Sequence, residues 1–93
     1  MGLIWDEAKR EATLQYRGLD FADAAEVIDG QSFSFPDHRQ DYGEERTTTV
    51  GFLEGRMTVV VWTPRGRDRR IISMRKANER EIRQYGRRLA RPR

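Results

Sequence analysis

Met57-Thr58-Val59-Val60-Val61-Trp62-Thr63, then Pro64-Arg65-Gly66-Arg67-Asp68, then Arg69-Arg70-Ile71-Ile72-Ser73-Met74 are three consecutive pieces whose reading decides the fold. The outer two have strand length and are rich in β-branched and aromatic residues, and the middle one carries the proline and glycine that turn a chain. They read as two antiparallel strands joined by a turn over Pro64–Asp68. Met57–Thr63 is apolar on both faces, with Val59 and Val61 on one and Val60 and Trp62 on the other, which places it centrally in a sheet. In the next strand a period of two puts Arg69, Ile71, Ser73 and Arg75 on one face and Arg70, Ile72 and Met74 on the other. Ile72 and Met74 are expected to pack under helices, leaving Arg75 to emerge at the strand's end on the open face.

Working upstream, Glu45–Leu53 reads as a threonine-rich strand that joins the central one through a tight turn at Glu54-Gly55. Phe33 and Phe35 alternate with Ser32 and Ser34 in a half-buried strand ending at Pro36. The polar stretch Asp37–Glu44 has no periodicity and reads as a loop. Before it, Phe21, Ala24, Ala25 and Ile28 follow helical spacing after a capping Asp20, and Asp29-Gly30 ends that helix with the glycine expected in the left-handed position. A first helix over about 6–17 starts at Asp6 as N-cap and stops at Gly18, and Leu3-Ile4-Trp5 before it is a short strand or an apolar plug. Downstream, Asn78 with Glu81 forms a capping box for a final helix over 79–90, with Ile82, Tyr85 and Leu89 as its apolar stripe. Glu79 and Arg83 are spaced as an i,i+4 pair. Residues 90–93 are expected to fray. The fold class is α+β: two N-terminal helices, a twisted antiparallel sheet of about four strands with the helices on one side, and a C-terminal helix.

Ninety-three residues bury one compact core, so residues 1–93 are expected to form a single domain. The chain has no cysteine and one histidine, His38, which leaves no thiol nucleophile or thiolate site and makes a histidine-rich metal site implausible. No cofactor is expected either, because the glycines are scattered as turn residues and form no phosphate-cradling loop. No apolar run reaches the length of a membrane span and no signal-peptide core opens the chain, so a soluble, cytoplasmic protein is expected.

Charge is unevenly placed. Residues 1–63 carry six basic and twelve acidic groups, whereas residues 64–93 carry twelve basic and three acidic ones. Such an asymmetry points to a basic face that meets a polyanion or an acidic protein. Sixteen of the eighteen cations are arginines, whose rigid fork suits bidentate contact with phosphate. Arg75 at the strand end, Arg65 in the turn beside it and Arg46 on a neighbouring strand are expected to converge on one surface. Arginines can hold the negative charge that develops when an RNA 2′-OH attacks its own phosphorus, but they cannot accept a proton. Lys76, Glu45, Tyr85 or His38 would have to do so. Of the paired carboxylates Glu44-Glu45, at most one serves a site, since adjacent strand residues point to opposite faces.

The residues then reach a known family. Trp5-Asp6-Glu7-Ala8-Lys9, Gly18-Leu19-Asp20-Phe21 with Ala24-Ala25, Asp37, Glu44-Glu45-Arg46, Gly51, Val59-Val60-Val61 with Thr63 and Arg65, and Arg70-Ile71-Ile72-Ser73-Met74-Arg75-Lys76-Ala77 with Glu81 and Tyr85 together resemble the BrnT family of bacterial toxins. The resemblance implies a metal-independent ribonuclease toxin of a type II toxin–antitoxin system with a RelE-like fold. It also implies a ribbon-helix-helix antitoxin, BrnA, which blocks the toxin in a 2:2 complex and alone contacts operator DNA. Thr13, Tyr16 and Arg17 stand where the family usually carries asparagine, lysine and histidine.

On this reading Arg75 and Arg65 stabilise charge at the phosphorus and Lys76 binds phosphate or moves protons. Glu45 is a possible base, and Tyr85 stacks or donates a proton. Lys9, Arg17, Arg46 and Arg69 bind substrate, with no metal site. A rival expectation is a module that binds RNA or antitoxin without cutting. A DNA-binding regulator would have to read DNA with the basic helix 79–90, whose stripe is better explained by packing.

Overall fold

Among the described residues the sheet has five strands. The structure is a computed structural model that describes residues 2–37 and 43–89. The strands are β1 (Leu3–Trp5), β2 (Phe33–Pro36), β3 (Thr47–Leu53), β4 (Arg56–Arg65) and β5 (Asp68–Lys76), arranged in the order β1-β5-β4-β3-β2. The helices are α1 (Glu7–Arg17), α2 (Ala24–Asp29), preceded by a 3-10 turn at Phe21–Asp23, and α3 (Glu79–Leu89).

The class is α+β as expected, with two corrections. Leu3-Ile4-Trp5 is a strand that pairs parallel with β5, Leu3 opposite Arg69 and Trp5 opposite Ile71, so the sheet has five strands rather than about four and is mixed rather than antiparallel throughout. The helices also occupy both faces. On one face Val60, Ile71 and Met74 pack with Leu19, Phe21, Ala24 and Val27. On the other, Val50, Met57 and Val59 pack with Leu89 and Tyr85 of α3. β4 is central and buried on both sides, so it presents valine in both directions and needs a helix on each.

Local chemistry explains the joints. Asp6 caps α1 by accepting from the Lys9 N–H at 3.2 Å, and Gly18 ends it at φ 69°. Asp20 caps the 3-10 turn and holds Arg10 of α1 through bonds of 2.7 and 3.0 Å. In the hairpin between β3 and β4 both central residues, Glu54 at φ 50° and Gly55 at φ 78°, take positive φ, the primed turn that matches strand twist. Gly30 departs from expectation: its backbone is extended, φ −86° and ψ −159°, and leads straight on towards β2. In α2 Ala24 and Val27 turn fully into the core, continuing the three-residue spacing from Phe21 in the preceding 3-10 turn, whereas Ala25 and Ile28 are half-buried.

Two further expectations change in the last hairpin and helix. Pro64 and Arg65 belong to β4, opposite Arg69 and Asp68, and the turn shrinks to Gly66-Arg67. A β-bulge shifts the register at Val61/Trp62, which face Ser73 and Ile71, so Ile72 has no partner. The extra residue breaks the period of two. Ile71 and Met74 enter the same core while Ser73 and Arg75 face the other way. The capping box of α3 is formed, with Asn78 Oδ1 accepting from the Glu81 N–H at 2.8 Å and Glu81 Oε1 accepting from the Asn78 N–H at 2.9 Å. The Gln31 side-chain amide donates to the Leu89 carbonyl near the helix's end. Tyr85 and Leu89 face the sheet, but Ile82 stays 48% exposed, and no Glu79–Arg83 ion pair forms. His38 and residues 90–93 lie outside the described residues.

Candidate active site

Between α1, the C-terminal half of β5 and α3 lies an open cleft of about 450 Å³ on the face that carries Val59 and Val61. Arg17, Arg75, Ser73, Tyr85, Glu81 and Asp37 line it over a floor of Val50, Val59 and Val61. α1 runs on from β1 alongside β5, which brings Arg17, at the helix's last residue, over the strand. Its Nη1 donates to the Met74 carbonyl at 3.0 Å, and no carboxylate among the described residues neutralises it. Arg17 therefore offers a fixed, permanently charged group at the cleft mouth.

Arg75 is differently held. Its Nη1 and Nη2 donate to Glu81 Oε1 and Oε2 at 2.7 and 2.8 Å, a bidentate pair across the break between β5 and α3. The Arg75 guanidinium, helped by the Asn78 N–H, keeps the Glu81 carboxyl below its ordinary range, so Glu81 is a carboxylate at neutral pH. Tyr85 stands one turn along α3 from Glu81. Its ring packs 5.2 Å from Phe33 and 6.2 Å from Phe35, which makes an aromatic wall. Asp37 is buried, and its N–H donates to the Arg46 carbonyl at 2.9 Å, which ties the end of β2 to the start of β3.

A second opening of about 420 Å³ adjoins the first and shares Arg17, Val61 and Ser73 with it. Lys9, Ala12, Thr13, Tyr16, Arg46 and Ile72 complete its lining. Among the described residues no cluster of three His, Cys, Asp or Glu is placed to hold a metal ion.

Of the residues singled out in the sequence, Arg75, Arg17 and Tyr85 thus meet in the first cleft, and Lys9 and Arg46 join Arg17 in the second. Four do not converge. Lys76 points to the opposite face, where it lines a separate depression with Leu14, Leu19 and Asp20, as strand alternation demands of a neighbour of Arg75. Arg69 lies on that opposite face too, paired with Asp29 at 2.9 Å and stacked 5.2 Å over Trp62, because the bulge separates it from Arg75. Arg65 donates to Glu44 at 2.9 Å near the end of the hairpin and lines neither cleft. Glu45 is exposed and enters neither cleft, and only its carbonyl is engaged, by the Thr63 hydroxyl at 2.5 Å. Sequence reasoning assigns no role in the site to Asp37, Ser73 or Glu81. The capping box was the available signal for Glu81, since a box at 78–81 folds the Glu81 carboxylate back towards the end of β5.

A family model described as ribonuclease toxin, BrnT, of type II toxin-antitoxin system matches residues 5–81. The chain belongs to the BrnT family. Its members are ribonuclease toxins, and a type II system implies an antitoxin partner. The matched residues span every cleft-lining position of this BrnT chain except Tyr85. No curated protein gives a significant match. Among the described residues of this BrnT protein no helix is long and apolar enough to cross a membrane.

Proposed function

We propose that this BrnT-family chain is a metal-independent endoribonuclease that cuts RNA by attack of the substrate's own 2′-OH, with the cleft between α1, β5 and α3 as its active site. The observation that carries the reading is the convergence of Arg17 and Arg75 beside Glu81 and Tyr85. Two guanidiniums from different elements grip one phosphate and hold the extra negative charge of the transition state. As the phosphate competes for Arg75, Glu81 loses part of the hydrogen bonding that depresses its pKa and becomes a better base. The 2′-OH proton passes to Glu81, the 2′-oxygen bonds to phosphorus, the bond to the 5′-oxygen breaks, and Tyr85 gives that oxygen a proton. The products are a 2′,3′-cyclic phosphate and a 5′-hydroxyl. Kinship with RelE-like ribonucleases belongs to the same reading.

In the cell this activity would act in the cytoplasm, slowing translation and growth until a ribbon-helix-helix antitoxin covers the basic face. In the expected 2:2 complex an antitoxin dimer bridges two toxins and supplies the operator contacts. The second reading is a module that docks RNA or antitoxin without cutting. It is favoured by Arg17, which holds charge but cannot exchange a proton where the family usually has histidine. Expression of Arg75→Ala without antitoxin decides between inert and active clefts: growth restored at unchanged protein abundance supports catalysis, and growth arrest equal to wild type refutes it.

A further inference from the structure

Tyr16, in the last turn of α1, leaves 80% of its surface in water. Nothing in the packing requires a large ring there, because α1 has no fully buried residue and the core closes without it. Tyr16 is spaced with Lys9, Ala12 and Thr13 as i+7, i, i+3 and i+4, so the four share one helix face. That face forms one wall of the second opening, and Ile72 and Arg46 lie across from it. Ile72 is there because the β-bulge removes it from the alternation that buries Ile71 and Met74. The Lys9 ammonium has no acidic partner among the described residues, and Arg46 is bonded to Glu44 at 3.3 Å.

An exposed aromatic ring flanked by cations and an aliphatic side chain is the equipment for holding one unpaired nucleotide. The ring takes the base face and the cations take the phosphate. Arg17 and Ser73 belong to both openings, so a strand gripped at Arg17 and Arg75 runs directly on to Tyr16. We propose that the opening between α1 and β5 is a flanking-nucleotide subsite of the ribonuclease cleft. Tyr16 stacks the base next to the scissile phosphate, and Lys9 and Arg46 take the phosphate beyond it. The inference rests on the RNA reading of the main cleft and assigns a residue and a minimum substrate length to it. Stacking is tolerant of base identity, so the subsite fixes the position of the strand more than its sequence.

A 2′-O-methyl oligoribonucleotide cannot undergo the 2′-OH attack and so reports binding alone. With 2-aminopurine next to the gripped phosphate, its fluorescence should be quenched by stacking when wild-type protein binds. Tyr16→Ala should abolish the quench and weaken binding roughly 5- to 150-fold, the range for loss of one base–aromatic stack. Tyr16→Phe should restore both. An oligonucleotide shortened to end at the gripped phosphate should bind Tyr16→Ala and wild type equally. If Tyr16→Ala binds and quenches the full oligonucleotide as wild type does, the subsite is wrong while the main cleft stands. An effect of Tyr16→Ala confined to antitoxin binding overturns it in the same way. If wild type binds neither oligonucleotide, the RNA reading of the whole face fails, and the subsite with it.

Discussion

Arg75 and Glu81 are joined by two hydrogen bonds, 2.7 and 2.8 Å long, across the point where β5 ends and α3 begins. The same carboxylate accepts from the Asn78 N–H at 2.9 Å, so one side chain caps a helix, pins it to the sheet and lines the cleft. On the proposed mechanism one residue therefore serves both the fold and the chemistry.

Replacing Glu81 by alanine removes the reciprocal half of the capping box together with the charged pair. The expected loss is about 1–3 kcal/mol, the sum of a typical cap and a partly exposed charge-assisted contact. Urea unfolding of Glu81→Ala against wild type measures it, and an unchanged midpoint would show that the pair adds nothing to the fold.

Stability should fall in acid. The folded-state pKa of Glu81 is lowered, chiefly by its hydrogen bonds with Arg75, from an ordinary 4.5. Those of Glu7 and Asp20 are lowered by hydrogen bonds with Trp5 and Arg10 and with Arg10 respectively, from 4.5 and 3.8. A depressed carboxylate contributes stability that is fully present above its unfolded-state pKa and is lost as pH falls through the folded-state value. The unfolding midpoint should be flat above about pH 5 and decline below pH 4.5, less steeply in Glu81→Gln. A midpoint that rises as pH falls through that window has the wrong sign.

The close approach of α2 to the sheet depends on Gly51. A Cβ at that position would lie 2.7 Å from the Val27 carbonyl oxygen and 3.0 Å from Ser32 Cβ, and a helix backbone cannot step aside cheaply. Gly51→Ala should cost about 1–3 kcal/mol by overpacking. Thermal unfolding checks this, and a neutral substitution would mean that α2 sits further from β3 than described.

Lys76 and Arg75 are adjacent in sequence and opposite in space, which separates them experimentally. Lys76→Ala should leave RNA cleavage within about twofold, as for an ordinary surface substitution. Loss of rate in Lys76→Ala as large as that in Arg75→Ala would return Lys76 to the site.

Much of this was legible beforehand for identifiable reasons. Caps at Asp6 and Asn78, the turn at Glu54-Gly55 and the two-sided apolar run of β4 are local signals, and each stands where the side-chain chemistry put it. What was not legible depends on partners remote in sequence. Three residues at 3–5 carry no mark of the strand they join, and their place was decided by an unfilled edge of β5. The bulge at Ile72 has no signature in Arg69–Met74, yet it sets which arginines share a face. The bulge is why Arg75 lies in the cleft while Arg69 does not, whereas Arg17 reaches the cleft from α1.

The antitoxin is expected to cover this basic face. Opposite charges across an interface lose attraction as salt shortens their reach, to a Debye length of about 3 Å at 1 M from about 10 Å at 0.1 M. Calorimetry of the complex across that range should show a marked loss of affinity; a constant affinity would mean an apolar interface elsewhere.

In the proposed mechanism Arg17 and Arg75 drive cleavage through the substrate's own 2′-OH. Its most direct test is single-turnover cleavage of one oligoribonucleotide in excess EDTA by wild type, Arg17→Ala and Arg75→Ala, with the product ends identified. Wild type should give 2′,3′-cyclic phosphate ends, and the rate should fall about 100-fold or more in each variant. Cleavage that appears only when magnesium is restored, or that proceeds equally in both variants, would contradict it.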